Sequence, residues 1–200
     1  MRKLLILAPL VLLSACSLGP IATTPTQAYT LHASNSFGQT TMAKNPGVIL
    51  VSNSTSAPNI NSTNMYYQTQ PYQLQSFAKN TWLNTPNEML TANIAENLNA
   101  LGYFKAVLNG VNPGVNVAYT LNTRVISLYQ DFTQNPSQLI LSVEVTIISN
   151  QQHKVLGSEI FNYKVPCTEN TPYAGVVAAN KALSQFLNDM DRFVLEATKA

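Results

Sequence analysis

The chain is poor in charge. Only 10% of its 200 residues are Asp, Glu, Lys or Arg, against roughly 25% in an average soluble domain. Eleven cations face nine acids, and Arg2 and Lys3 stand at the extreme N-terminus. Without those two, nine face nine. A nucleic-acid binder carries a basic face or stripe, and a polybasic membrane sensor needs clustered Lys and Arg. Neither is present. Histidine and cysteine are scarce as well, at two each. His32, His153, Cys16 and Cys167 lie far apart, so no metal-ligand spacing arises. No G-x-G-x-x-G, P-loop or G-x-S-x-G run occurs. The acids are scattered. Asp189 and Asp191 are the nearest pair, but two residues apart on a helix they do not share a face. These absences argue against an enzyme and against a bound cofactor. No apolar run reaches about 18 residues, so none is long enough to span a bilayer.

Neutral polarity fills the gap, with 22 Asn, 12 Gln, 15 Ser and 19 Thr. The chain is still 46% hydrophobic, which excludes disorder by composition. Its length suits one domain with a proper core.

The N-terminus reads as an address label. Met1-Arg2-Lys3 is a positive start, and Leu4–Leu13 is a short apolar run broken only by Pro9. That combination, ending in small residues, is a secretory signal. Leu13-Ser14-Ala15-Cys16 resembles the lipobox of bacterial lipoproteins, with cleavage between Ala15 and Cys16. Cys is required there because its sulfur takes a diacylglycerol as a thioether. Several acyl chains at ~0.8 kcal/mol per buried CH₂ make a lasting anchor. Residues 1–15 are therefore expected to be signal peptide and 16–27 a lipidated tether, followed by a domain at 28–200. Ser17, where Asp usually retains a Gram-negative lipoprotein at the inner membrane, resembles the outer-membrane case. With Cys16 used by lipid, Cys167 has no internal partner for a disulfide. It is either a nucleophile or a small residue packed beside Pro166 at a strand end. No His adjoins it in sequence, which favours packing.

The domain alternates strand and helix signals. Ala28–Leu31 and Gly47–Val51 are β runs, separated by a loop at Ser34–Pro46 and followed by polar residues from Ser52 to Thr63. Met65–Gln68 and Tyr72–Leu74 flank Pro71 as a strand pair, and Phe77–Trp82 leads into a first helix. Thr85-Pro86-x-Glu88 is a capping-box start with Pro at N1. Leu90, Ile94, Leu98 and Leu101 form one apolar stripe, and Gly102 suits the left-handed stop. After a short strand at Phe104–Leu108, residues from Val115 to Tyr129 and from Leu139 to Ile147 alternate with period two. Asn150–His153 is a hairpin connection into a strand at Ile160–Val165. Thr171-Pro172 caps a long helix carrying Val176, Leu183, Phe186, Leu187, Met190, Phe193 and Val194. Two amphipathic helices and one-sided strands predict an α+β sandwich. Both helices would pack on one face of a mixed, mainly antiparallel sheet.

Two features suit binding. Tyr66, Tyr67, Tyr72, Phe77 and Trp82 crowd one stretch, and aromatics with a polar handle are enriched at interfaces. The competing reading is a sheet core, with Trp82 its foremost member. Arg124 sits on a strand nearly free of charge, either paired at the surface or facing a partner.

Taken in order, these pieces resemble the ABC-type transport auxiliary lipoproteins, the family that includes PqiC. Tyr29-Thr30-Leu31 stands shortly after Cys16, and the β run to Val51 precedes Met65-Tyr66-Tyr67. Trp82-Leu83-Asn84-Thr85-Pro86 leads to Met89-Leu90 and Leu98, with Phe104 and Val107 beyond. Phe161, Pro166 and the run Val176–Leu183 complete it. Thr81 stands where the family often has a basic residue. The resemblance implies a non-enzymatic lipoprotein on the periplasmic face of the outer membrane. Its implied partners are an MCE-domain protein or an ABC permease complex moving lipids between membranes, and its implied assembly is a ring-like homo-oligomer. The alternative is another outer-membrane lipoprotein of similar build, such as an LptE-like plug or a peptidoglycan-synthase activator.

Overall fold

The computed structural model describes residues 25–33 and 45–199. The signal peptide, the lipobox with Ala15 and Cys16, and most of the loop at 34–46 lie outside them.

The fold is built around one strand. Tyr119–Asp131 (β7) alternates buried Leu121, Thr123 and Val125 with solvent-facing Asn122 and Arg124. Along one edge it pairs antiparallel with Gln138–Ser149 (β8), and β8 pairs antiparallel with Lys154–Pro166 (β9). The other edge of β7 is shared by three short parallel strands in succession. Asn45–Val51 (β2) pairs at Tyr119–Leu121, Thr55–Ser56 (β3) at Arg124–Val125, and Asn64–Gln70 (β4) at Gln130–Asp131. Beyond β2 lies parallel Phe104–Asn109 (β6). Beyond β4 lie antiparallel Gln73–Trp82 (β5) and then parallel Gln27–Tyr29 (β1). The sheet is mixed, and its two longest ladders, β7–β8 and β8–β9, are antiparallel.

The strand β8 shows how sequence sets this surface. Leu139, Leu141, Val143, Val145 and Ile147 are all buried, and every residue between them is half-buried. A strand puts successive side chains on opposite faces, so one face of β8 is a continuous apolar row. Helix Pro172–Ala197 (α2) covers that face on β8 and β9, and helix Pro86–Leu101 (α1) packs beside it on β7 and β6. Leu90 of α1, Ala179 and Leu183 of α2, and Val125, Leu128 and Leu141 of the sheet meet around one small internal gap. Phe186 is fully buried and meets Phe161 edge-on at 5.8 Å.

Both helix starts follow the expected chemistry. Thr171 Oγ1 accepts from Ala174 N–H at 3.2 Å, with Pro172 at the first helical position. At α1 the Glu88 carboxylate accepts from Thr85 N–H at 3.1 Å. The reciprocal half of that box is weak, since Thr85 Oγ1 is buried without a hydrogen bond of normal geometry. Gly102 ends α1 at φ 67°, and its N–H reaches Asn99 O.

Three elements differ from the sequence reading. The chain before α1 stays extended, because β5 runs through Trp82, whose N–H donates to Thr63 O. The strand expected from Val115 starts only at Tyr119. Asn112 Oδ1 accepts from both Gly114 N–H and Val115 N–H, holding the preceding residues in a turn. The polar stretch from Ser52 to Thr63 contains β3 and a 3-10 turn at Pro58–Ile60. A two-residue strand has no period to read.

Candidate functional site

The aromatic stretch splits into three environments. Trp82 and Met65 are buried in the core. Tyr66 packs partly against that core, with its hydroxyl 3.0 Å from Ser62 Oγ. Tyr67 instead joins an aromatic cluster, tilted over Phe77 at 4.5 Å and edge-on to Phe132 at 5.9 Å. Its hydroxyl donates to Gln75 Oε1 at 2.7 Å, and Gln75 is its direct partner across the β4–β5 ladder. Phe132 N–H donates to Gln68 O at 2.8 Å, which fastens the end of β7 to β4. Phe132 and Gln75 escaped the sequence reading. The signal for Phe132 was its place directly after a period-two strand.

The tip of the β4–β5 hairpin is the most unusual point. Tyr72 is fully exposed and sits at φ 68°. A left-handed conformation costs a non-glycine residue ~1–2 kcal/mol, and turns that need it normally use Gly or Asn. Gln70, Pro71 and Gln73 around it are also exposed. Together, Tyr72 and the Tyr67–Phe77–Phe132 cluster make a hairpin with a large aromatic at its tip and half-buried aromatics behind. Such a surface offers area and amide groups but little charge.

Arg124 is a paired surface residue. It faces Glu144, its direct cross-strand partner, at 3.8 Å, with the two side chains 51% and 36% exposed. A pair that open contributes at most about 1 kcal/mol. The sheet face around it is polar and internally bonded. Ser142 Oγ donates to Asn162 Oδ1 at 2.7 Å, and Thr146 and Ser158 share a hydrogen bond at 2.8 Å. Arg124 is not brought together with the three tyrosines by any contact described.

Cys167 is buried, and burial pushes its thiol up; hydrogen bonds with Ser137 and Gln130 pull the other way. Gln130 Nε2 also donates to Ser137 Oγ at 2.9 Å and to Thr171 O at 3.2 Å. A Cβ on Gly175 would lie 2.5 Å from Gln130 Oε1, so the glycine lets α2 approach this amide. The cluster ties the sheet to the start of α2. His32 and His153 are exposed, and His153 sits in the β8–β9 turn at φ 52°. Among the described residues no three His, Cys, Asp or Glu side chains gather as a metal site.

A family model for the ABC-type transport auxiliary lipoprotein component matches residues 29–191. The chain belongs to that family. It is thus an auxiliary lipoprotein of ABC-type transport. Solved structures share the fold. The protein XCC0632 of Xanthomonas campestris superposes with a TM-score of 0.76 at 17% identity, over 86% of this chain and 96% of its own. The hypothetical protein CT253 of Chlamydia trachomatis gives 0.51 at 8% identity, over 75% and 96%. No curated protein matches the chain.

Proposed function

We propose that this lipoprotein is the outer-membrane docking component of an ABC- or MCE-type system that moves lipids between the two membranes. On this reading Cys16 carries a diacylglycerol and an N-acyl chain, and the domain stands on the periplasmic face of the outer membrane. It binds an MCE-domain protein or the permease complex, works as a homo-oligomer, and catalyses nothing. Membership of the transport-auxiliary family supports the general role. The buried, raised thiol of Cys167 supports the reading without catalysis.

The observation that carries the docking role is Tyr72. A fully exposed aromatic in a left-handed turn costs folding free energy. Strain of that kind persists where the surroundings over-determine it and recurs at ligand clamps. The hairpin is therefore the partner-facing element, and Tyr67, Phe77 and Phe132 stiffen it.

A photo-crosslinker in place of Tyr72 tests both parts in intact envelopes. Recovery of an MCE protein or permease subunit is the expected result. Recovery of β-barrel assembly factors alone would replace the reading with an LptE-like plug. Tyr72→Gly relieves the strained turn, so it should keep or raise Tm while losing the partner. Loss of Tm with the partner retained would show Tyr72 to be structural. Cys16→Ala should release the protein from membranes and stop palmitate incorporation. A variant still acylated and sedimenting with membranes would end the anchor assignment.

A further inference from the structure

The strand β9 is thirteen residues long and pairs only with β8 among the described residues. Alternate backbone N–H and C=O groups on its other edge therefore have no strand to meet, and such an edge is a template for another chain. Helix α2 lies beside it. Between them runs an open groove of about 570 Å³, lined by Leu156, Glu159 and Phe161 of β9 and by Asp189, Arg192, Phe193 and Glu196 of α2.

The walls of this groove are well held. Phe161 meets Phe193 edge-on at 6.0 Å, and Phe193 lies against the Gly157 backbone, where a Cβ would come within 3.0 Å of its ring. Tyr163 Oη donates to Asp189 Oδ2 at 2.7 Å, tying strand to helix. Arg192 is already engaged by Asp189. Glu159 and Glu196 are exposed and form no salt bridge among the described residues. Three acids and one engaged cation leave the groove negative. The lysines of β9, Lys154 and Lys164, do not line it.

We infer that the β9–α2 groove takes an extended, lysine- or arginine-bearing segment of a partner protein, added to β9 as a further strand. Main-chain hydrogen bonds to the free edge would give affinity, as in other strand-addition sites. Apolar side chains would fall on Phe161, Phe193 and Leu156, and a basic side chain would reach Glu159 or Glu196. A second copy of this chain fits less well. Antiparallel β9–β9 pairing in full register would set Glu159 of each copy diagonally beside the other, with two acidic rims facing. Like charges so placed oppose pairing. The inference concerns a surface separate from the hairpin and stands or falls without it.

The probe is a fluorescent octapeptide of alternating lysine and valine, titrated against the full-length lipoprotein in detergent micelles. Saturable binding is expected, with hydrogen-exchange protection of Lys154–Pro166 amides. The exposed double variant Glu159→Lys/Glu196→Lys should bind about tenfold more weakly or worse. A peptide N-methylated at alternate residues keeps its charge but loses one edge of hydrogen bonds, and it should also fail. Tyr72→Gly should bind the probe as the unaltered protein does. Equal binding by the N-methylated peptide would reduce the site to charge alone and overturn the inference. So would undiminished binding by the double variant, or a β9-dependent dimer by sedimentation with no peptide binding.

Discussion

The two helices lie side by side on the same sheet face and are held by different means. Helix α2 packs mainly through oil: Val176, Leu183, Phe186, Leu187, Met190 and Val194 are buried. Helix α1 buries Leu90, Ile94 and Leu98 but also Thr91, Asn93 and Asn97. Those polar residues act as fasteners. Thr91 Oγ1 accepts from Ser54 N–H at 2.8 Å. Asn93 accepts from Ala33 N–H at 3.1 Å and donates to Leu31 O at 3.0 Å. Asn97 donates to Asp191 Oδ1 of α2 at 2.7 Å. Helix α2 thus supplies most of the core volume, and α1 supplies more of the bonds to irregular backbone that has no ladder of its own.

Breaking the apolar side should have the largest effect. Phe186→Ala leaves a cavity against Phe161 and should cost about 3–5 kcal/mol by urea unfolding. The joint between the helices comes next. Asp191 is buried with one oxygen on Asn97 and the other unpartnered. Burial pushes its carboxyl from 3.8 up to about 7, opposed by the Asn97 hydrogen bond. The folded state therefore holds a proton that the unfolded chain releases. The contribution of Asp191 to stability is fullest below about pH 4, falls as pH rises to about 7, and is flat above that. The span is on the order of 4 kcal/mol at most. Asp191→Asn should flatten this slope in a Tm series from pH 4 to 8. An unchanged slope would place the pH dependence elsewhere.

Asn93→Ala tests the fasteners. It strands the Leu31 and Ala33 backbone groups and should cost about 2 kcal/mol, with faster hydrogen exchange at Ala33. If Asn93→Ala costs no more than a surface change, the polar face of α1 is ornament. The smallest contrast lies at the caps. Thr171→Ala should cost about 1 kcal/mol, whereas Thr85→Ala should cost less, because the Thr85 hydroxyl makes no hydrogen bond of normal geometry. Circular dichroism melts of the two variants decide it.

The same contrast explains what the sequence made legible. The apolar stripe from Leu90 to Leu101, both Pro-led helix starts and the alternation of β8 are periodic, and periodicity is visible in one dimension. The buried roles of Asn93, Asn97 and Thr91 were hidden, because amides and hydroxyls fill the whole chain and nothing marks these three. Pro71 announced the hairpin, but not that Tyr72 would take a left-handed conformation at its tip. The β9–α2 groove was invisible because its acids, Glu159, Asp189 and Glu196, come from two elements and meet only in the fold. The sequence leaves Arg124 open between two roles, and nothing in it marks the β7–β8 register that sets Arg124 opposite Glu144.

The strand β1 has a mechanical consequence. It holds the sheet through three residues, Gln27–Tyr29, beside β5. Directly after it, His32 N–H is caught by Asn180 of α2 at 2.7 Å, and Ala33 N–H by Asn93 of α1. A pull entering from residues ahead of Thr26 is thus borne first by a three-residue ladder. Two amide clasps, one on each helix, take the load next. The domain carries a short fuse in front of a double latch, so a tug can peel β1 while the helices and the β7–β8–β9 ladders stay shut.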